Sequence, residues 1–461
     1  MLHDYVSSFA PTFSANAHVE LRAQLNRSRR ANLISGNLTS NARSETSGVC
    51  ARVYEKGLYG FASSAEYSEE SCRKVLAAAT RNADFLASHV QKSKPSLDAL
   101  PGGGIYVKED INDPEQKYYI DFIREVDAYI LAKYPSLTGR YVVAVADSME
   151  KILSVNDGFS THSILPRSYV YVNLLTNDND GQPIELMEIF GGSGTFDLNF
   201  TDPKALFDAI DRQYVCLQEK RDAIYASPGI KDCILAPSMT GMLAHEAVGH
   251  TVEADLVLGG SVAGPNLGKE VASPIVSLVD FAHTAFGKPC PLPVYVDDEG
   301  TKAEDQLIID KGVLVGYMNN RETSQTFNMT PHGNARAYAF SDEPLVRMRN
   351  TAILPGNDKL ADMIAAIEDG YYFIKSNNGQ ADTTGEFMFC VTKGYEIRNG
   401  KLGRAIKDTT ISGIAFEMLK TVDMISDEVE WDSSGFCGKK QPMPVGLGGP
   451  AIKCKVNVGG R

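Results

Sequence analysis

The segment His245-Glu246-Ala247-Val248-Gly249-His250 puts two imidazoles and a carboxylate within six residues. Neutral imidazole nitrogens bind divalent transition ions, Zn2+ foremost. A carboxylate held beside such an ion can accept a proton from the attacking water and return it to a departing amine. These are the ingredients of metal-assisted hydrolysis. The bland alternative is a pair of histidines satisfied in a core, or exposed near a helix end.

The spacing imposes a condition. In the commoner H-E-x-x-H the histidines are four residues apart, about 40° around an α-helix. Here they are five apart, roughly 140° on an ideal helix, so a regular helix would aim them away from each other. One residue must be absorbed by a π-bulge or a local break. The expected place is between Val248 and His250, with Gly249 as the residue that tolerates it.

A catalytic zinc takes three protein ligands and keeps one position open. His245 and His250 supply two. Glu253 and Asp255 follow closely and are candidates for the third, or for a carboxylate that orients an imidazole through its free N–H. Plain surface carboxylates are the alternative for both. Eight cysteines are scattered without a CxxC pair, which is no disulfide framework, and each is by default a small buried hydrophobe. Cys437 lies in the turn-like Ser433-Ser434-Gly435-Phe436-Cys437-Gly438, 187 residues beyond His250 (437 minus 250). Only the fold could bring it near. Cys454 sits in a strand-like stretch. Arg336 and Arg347, with Asn334, could hold a peptide carboxylate or backbone; ordinary ion pairs are the other reading. His283 and His332 are isolated and read as structural or surface residues.

Positioning such groups takes a scaffold, and 461 residues allow two or three domains, each with its own core. The net charge of −13 opposes nucleic-acid phosphates, and no stretch reaches the roughly 18 to 20 apolar residues of a membrane span. The opening Met1-Leu2-His3-Asp4-Tyr5 predicts no signal peptide, so a cytoplasmic location is expected. The reading is an α+β protein. Residues 1–94 form an α+β domain in which Ser68 caps a helix with Cys72, Leu76, Ala79, Ala83 and Leu86 on one face. Ser93 to Gly104, with Pro95 and Pro101, reads as a linker. Residues 105–225 form a middle domain. It begins with the second helix of the chain, opened by Asp113-Pro114. Short antiparallel strands follow at Tyr141–Ala146, Ile152–Val155, Ser168–Leu175 and Ile184–Phe190, and a third helix starts at Asp202-Pro203. Turns fall at Asn156-Asp157-Gly158 and at Asn177 to Gly181. Residues 228–461 form the catalytic domain, in which Ser238 caps the histidine helix. Turns are expected at Asp310-Lys311-Gly312 and Asn399-Gly400, and the Gly/Pro-rich tail excludes a terminal helix.

The run from His245 through Thr251-Val252-Glu253-Ala254-Asp255 resembles the signature of the TldD/PmbA peptidase family. Further matches come in family order at Asp297–Thr301, Arg321–Thr323, Asn334–Arg336, Arg347–Thr351, Gly379–Glu386, Phe436–Lys439 and Pro444–Gly448. The resemblance spans about residues 25 to 460. It implies a metallopeptidase acting on small or unfolded peptides. His245, His250 and Cys437 would hold one Zn2+ per site, and Glu246 would be catalytic. It also implies a homodimer, or a heterodimer with a motif-lacking relative, that encloses the site. It suggests that Gly379 to Thr384 is an active-site loop. The sequence is also compatible with an HExxxH dipeptidyl peptidase that has a Glu third ligand, and with a non-catalytic regulatory subunit.

Overall fold

The computed structural model describes all residues except 1, 10–12, 14–16, 91–96, 99, 101–102, 109–113, 157 and 460–461. Pro95, Pro101, Asp113 and Asp157, read above as linker, cap and turn residues, lie outside the described residues. The chain is α+β. Its first half is built on seven strands: β1 (His18–Ile34), β2 (Asn37–Glu55), β3 (Leu58–Ser64), β4 (Gly103–Lys108), β5 (Gly139–Val155), β6 (Phe159–Asn177) and β7 (Pro183–Ser193). The sheet order is β3-β2-β1-β5-β6-β4, with β7 also on β6. Because β1 pairs with β5 from Glu20 to Ile34, one sheet runs through both 1–94 and 105–225. Two apolar clusters lie against this sheet, and each draws on both stretches. Leu21, Val49 and Val53 pack with Cys72, Val75 and Ala79, while Ala31, Val142 and Val170 pack with Ile123, Val126 and Ile210.

The long helices on the sheet are α1 (Glu69–His89), α2 (Gln116–Lys133) and α3 (Phe207–Arg221), and the short helix Leu2–Ser7 adds Val6 to the cluster under α1. Ser68 caps α1, accepting from the Ser71 N–H as its sequence predicts. The buried face of α1 is rotated from the expected one: Val75 joins Cys72, Ala79 and Ala83 inside, while Leu86 is exposed. Asp202 caps the short turn Pro203–Leu206 that leads into α3.

The strands are longer than the sequence suggests. Tyr141–Ala146 and Ile152–Val155 belong to one strand, β5, since the polar residues between them find partners where they lie. Asp147 pairs with Arg167, and Lys151 reaches Asp298 at 2.6 Å. The β1–β2 hairpin is largely absent from the sequence reading, because arginines such as Arg27, Arg29, Arg30 and Arg43 fall on both of its faces and mask its period-two pattern. The next hairpin turns at Lys56-Gly57, where both φ values are positive (52° and 85°), as a tight two-residue turn requires.

In the second half, the strands Gly229–Leu235, Ile452–Val458, Thr409–Ile414, Glu386–Arg398 and Asp369–Ala381 pair in a closed circuit back to Gly229–Leu235. The Gly/Pro-rich tail thus supplies a barrel strand. Buried Phe373, Phe389, Ile411 and Val456 form one core with Leu243, Ala244, Ala247 and Val248, so the histidine helix is packed on this barrel. The expected turns at 310–312 and 399–400 are both present.

The halves meet through buried charge. Arg52 joins Glu20 and Glu299, while Arg22 donates to the carbonyls of Ala339 and Asp342. Buried ion pairs of this kind add little net stability but allow few other registers, because each wrong docking leaves a charge unpaired. No helix among the described residues is long and apolar enough to cross a membrane.

Candidate metal centre

Three local geometries follow one another along the histidine segment. An α-helix runs over Pro237–Met242, a π-helix over Leu243–Gly249, and a 3-10 turn over His250–Val252. Ala236 occupies the N-cap with Pro237 at N1, so Ser238 is inside the helix and makes no cap bond. The His250 N–H donates to the His245 carbonyl, an i→i+5 bond that brings the two ligand positions onto one side. Their rings lie 5.2 Å apart, centroid to centroid.

The expected departure from α geometry is there, but it begins at Leu243 and fills seven residues. Gly249 is not needed for backbone freedom, since its φ and ψ (−53°, −50°) are ordinary helical values. It is needed for space. A Cβ there would run into the Met348 sulfur and stand 3.1 Å from the Ala244 carbonyl oxygen. Gly249→Ala should therefore destabilise the metal-free protein by about 1–3 kcal/mol through overpacking, read as a lowered urea midpoint. An unchanged midpoint would mean that Met348 yields freely.

Cys437 arrives on a short strand, Phe436–Cys437, paired with Met443–Pro444. Arg347, fully buried, donates to the carbonyls of Cys437 (2.8 Å), Lys439 and Gln441. Tyr169 on β6 donates to the Ser433 carbonyl at 2.7 Å, tying the approach to the first sheet. The thiol ends 3.3 Å from His250 Nε2, and the ligand atoms of His245, His250 and Cys437 all lie within 4.8 Å of one another.

The electrostatics suit a cation. Burial alone would push the Cys437 thiol up, yet the His245 and His250 imidazoles hold it down to about 3. Burial works the other way on His250, but Cys437 and Glu253 raise it to about 10. Both shifts favour a thiolate on Cys437, the metal-ligating form, and an ion bound there would displace the proton from His250 Nε2. Both ring nitrogens of His245 are buried without a hydrogen-bond partner. An orphaned imidazole costs free energy unless an electrophile takes its lone pair. The donor set therefore fits a zinc-like ion, with a soft sulfur and two nitrogens leaving one position open.

Glu246 is about one-quarter exposed, with its oxygens 3.9 Å from His245 Nε2 and 3.7 Å from His250 Nε2. Glu253, weighed above as a third ligand, is fully buried behind His250 and takes its Nδ1 at 2.7 Å. Asp255 lies outside the cluster and pairs with Lys439. Asn334 and Arg336 are buried. Asn334 donates to Asp280 and to the Arg347 carbonyl, and Arg336 donates to the Met348 carbonyl. These bonds tie down the backbone that carries Arg347 and Met348. His283 stacks on Tyr295, half-buried His332 is held below its usual pKa by burial and by Arg349, and Cys454 is buried in the barrel. Gly379–Ala381 is the end of a strand, with Gly379 close against Met242, and Asp382 closes the turn that follows. Arg347, read above as a group that could hold a peptide, is instead spent on three backbone carbonyls, and the parts played by Met348 and Lys439 were not legible from residue chemistry. A local signal for Lys439 was a cation two residues beyond Cys437.

Residues 228–460 match the PmbA/TldA metallopeptidase C-terminal domain, and residues 19–83 match domain 1 of the same family. A metalloprotease of Methanothermobacter thermautotrophicus is 30% identical over 450 residues, covering 95% of this chain and 94% of the relative. A zinc metalloprotease TldD homolog of Saccharolobus solfataricus is 36% identical over 229 residues, 49% of this chain and 51% of its own. Among solved structures, TldE from Thermococcus kodakarensis superposes with a TM-score of 0.77 at 15% identity, covering both chains in full. That likeness speaks to the fold. The site geometry stands inside the matched C-terminal domain, and this chain belongs to the TldD/PmbA family of metallopeptidases.

Proposed function

We propose that this protein hydrolyses peptide bonds in short or unfolded peptides, with His245, His250 and Cys437 holding a divalent ion, zinc first among candidates. The observation that carries the reading is the convergence of two imidazoles and a thiolate, with the His245 nitrogens unsatisfied. The Saccharolobus relative, a zinc metalloprotease by name, favours zinc. Bound there, the ion would polarise the scissile carbonyl and stabilise the developing oxyanion.

The chain's own residues supply the rest. Glu246 takes the proton of the attacking water and gives it to the leaving amine. Its carboxylate is within one water's reach of the ligand nitrogens and is partly open to solvent, as a base that must meet substrate requires. Glu253 accepts from His250 Nδ1, which leaves Nε2 with its lone pair toward the ion. A carboxylate engaged in this way does not favour the dipeptidyl-peptidase reading, which needs a glutamate as third ligand.

The proposal extends to a cytoplasmic dimer, of this chain or with a motif-lacking relative, that encloses the site. Eight cysteines without a disulfide suit a reducing compartment. The outer edge of β2 from Asn37 to Gly48 carries no neighbouring strand among the described residues, so it offers backbone for association. The test presents one sequence in two states, as an unstructured peptide and inside a stable folded domain, to zinc-loaded protein. Cleavage of the peptide alone is expected. Cleavage of both, with the domain still folded, rules out an enclosed site, and cleavage of neither under any metal removes the peptidase reading.

A further inference from the structure

Lys439 is two residues beyond Cys437, nearly buried, and takes no part in the chemistry described so far. Its ammonium lies 2.7 Å from Asp255 Oδ1 and 2.9 Å from the Val346 carbonyl oxygen. These two acceptors fix it in place. It stands 3.4 Å from Glu253 Oε2, the same oxygen that His250 Nδ1 reaches at 2.7 Å. The other Glu253 oxygen is buried without a hydrogen-bond partner. Glu253 thus has two hold-points, His250 and Lys439, converging on one oxygen.

We infer that Lys439 is a positioning residue for the metal centre: it anchors Glu253, and through Glu253 it fixes the His250 ring. The inference rests on the metal-site reading above. Its physical basis is connectivity. His250 is on the helix and Cys437 on a strand from the far end of the chain, and their ligand atoms must stay within a few tenths of an ångström of a common point. Arg347 fixes the Cys437 backbone from one side. Lys439 is covalently part of the Cys437 segment and is tied to Glu253 and Asp255, which directly follow the His250 turn. Its side chain joins the two ligand-bearing segments without passing through the ligands themselves. A buried carboxylate with one oxygen unsatisfied has little else to hold its rotamer.

Partners that orient a ligating histidine are worth roughly 10- to 100-fold in metal affinity. Glu253→Gln should fall in that range. Lys439→Met, close in length and uncharged, should weaken Zn2+ binding by about tenfold, acting one step further away. The deciding measurement is a double-mutant cycle in Zn2+ affinity, by competition with a chromogenic chelator. If Lys439 acts through Glu253, adding Lys439→Met to Glu253→Gln should cost little more than Glu253→Gln alone. Lys439→Arg, which keeps the charge, should recover part of the loss. Far-UV circular dichroism and the thermal midpoint of each metal-free variant show whether it folds.

Additive losses in the cycle, or unchanged Zn2+ affinity in Lys439→Met, would overturn the inference. If Lys439→Met does not fold, Lys439→Arg and Asp255→Asn, which frees the ammonium without removing it, carry the test. Either should then weaken Zn2+ binding in the Glu253 background and much less in Glu253→Gln, and equal effects in both backgrounds would overturn it. Failure of the underlying site reading looks different: wild-type protein would bind no Zn2+, or would bind it equally well as Cys437→Ser.

Discussion

Cys437→Ser should leave the protein folded but nearly without metal, while the wild type carries one ion per chain. The thiolate is one of three protein ligands. A serine hydroxyl stays protonated at neutral pH and is a poor donor to a borderline-soft ion. If a zinc site with four ligands is worth about 10–16 kcal/mol, one ligand is worth roughly 2.5–4 kcal/mol, which is about 70- to 900-fold in affinity. The fold should survive, because the backbone around residue 437 is held by Arg347 and by the pairing with Met443, and neither uses the sulfur. Metal analysis after dialysis, with the thermal midpoint as a control, checks this. Undiminished metal content would remove Cys437 from the ligand set, and Glu253 would then have to leave His250 to replace it.

Glu246→Gln should do the reverse, keeping the metal and losing the reaction. The amide is the same size as the carboxylate but cannot accept the proton of the attacking water. General-base catalysis by a positioned side chain is worth about 10²–10⁴-fold, so kcat should fall by that factor or more. Metal affinity should hardly change, since Glu246 stands beside the ligand nitrogens at 3.7–3.9 Å and is outside the ligand cluster. The measurement is single-turnover hydrolysis of an unstructured peptide by metal-loaded variant and wild type. Turnover near the wild-type rate would assign the proton to another group. Together the two variants separate the roles, one losing the ion and the other keeping an inert ion.

Much of the site's chemistry is written locally. Two histidines around a glutamate name a metal and a base, and five-residue spacing forbids an unbroken α-helix between them. Both are short-range statements that hold in any surroundings. The π-helix follows from that spacing, although its start at Leu243 depends on how Ala244, Ala247 and Val248 pack on the barrel. The role of Gly249 was misread, because its cause is Met348, a contact almost 100 residues away in sequence (348 minus 249). Helix caps such as Ser68 and Asp202 were legible, since a cap bond spans two or three residues.

What only the tertiary structure decided are the long-range pairings. The strand β5 looks like two short strands because Asp147 and Lys151 are polar, and only the fold supplies Arg167 and Asp298 to satisfy them. Asn334 and Arg336 look like peptide-binding groups until their carbonyl and carboxylate partners are seen. The third ligand was open between Glu253, Asp255 and a cysteine on residue chemistry alone. The sequence carries the donors, but a distance of 187 residues carries no geometry. Closure of the barrel by Ile452–Val458, together with the Arg347 clamp, is what delivers Cys437 to His250. Ligand identity is thus a property of residue types, while ligand assembly is a property of the fold, because hydrogen bonds and packing act through space.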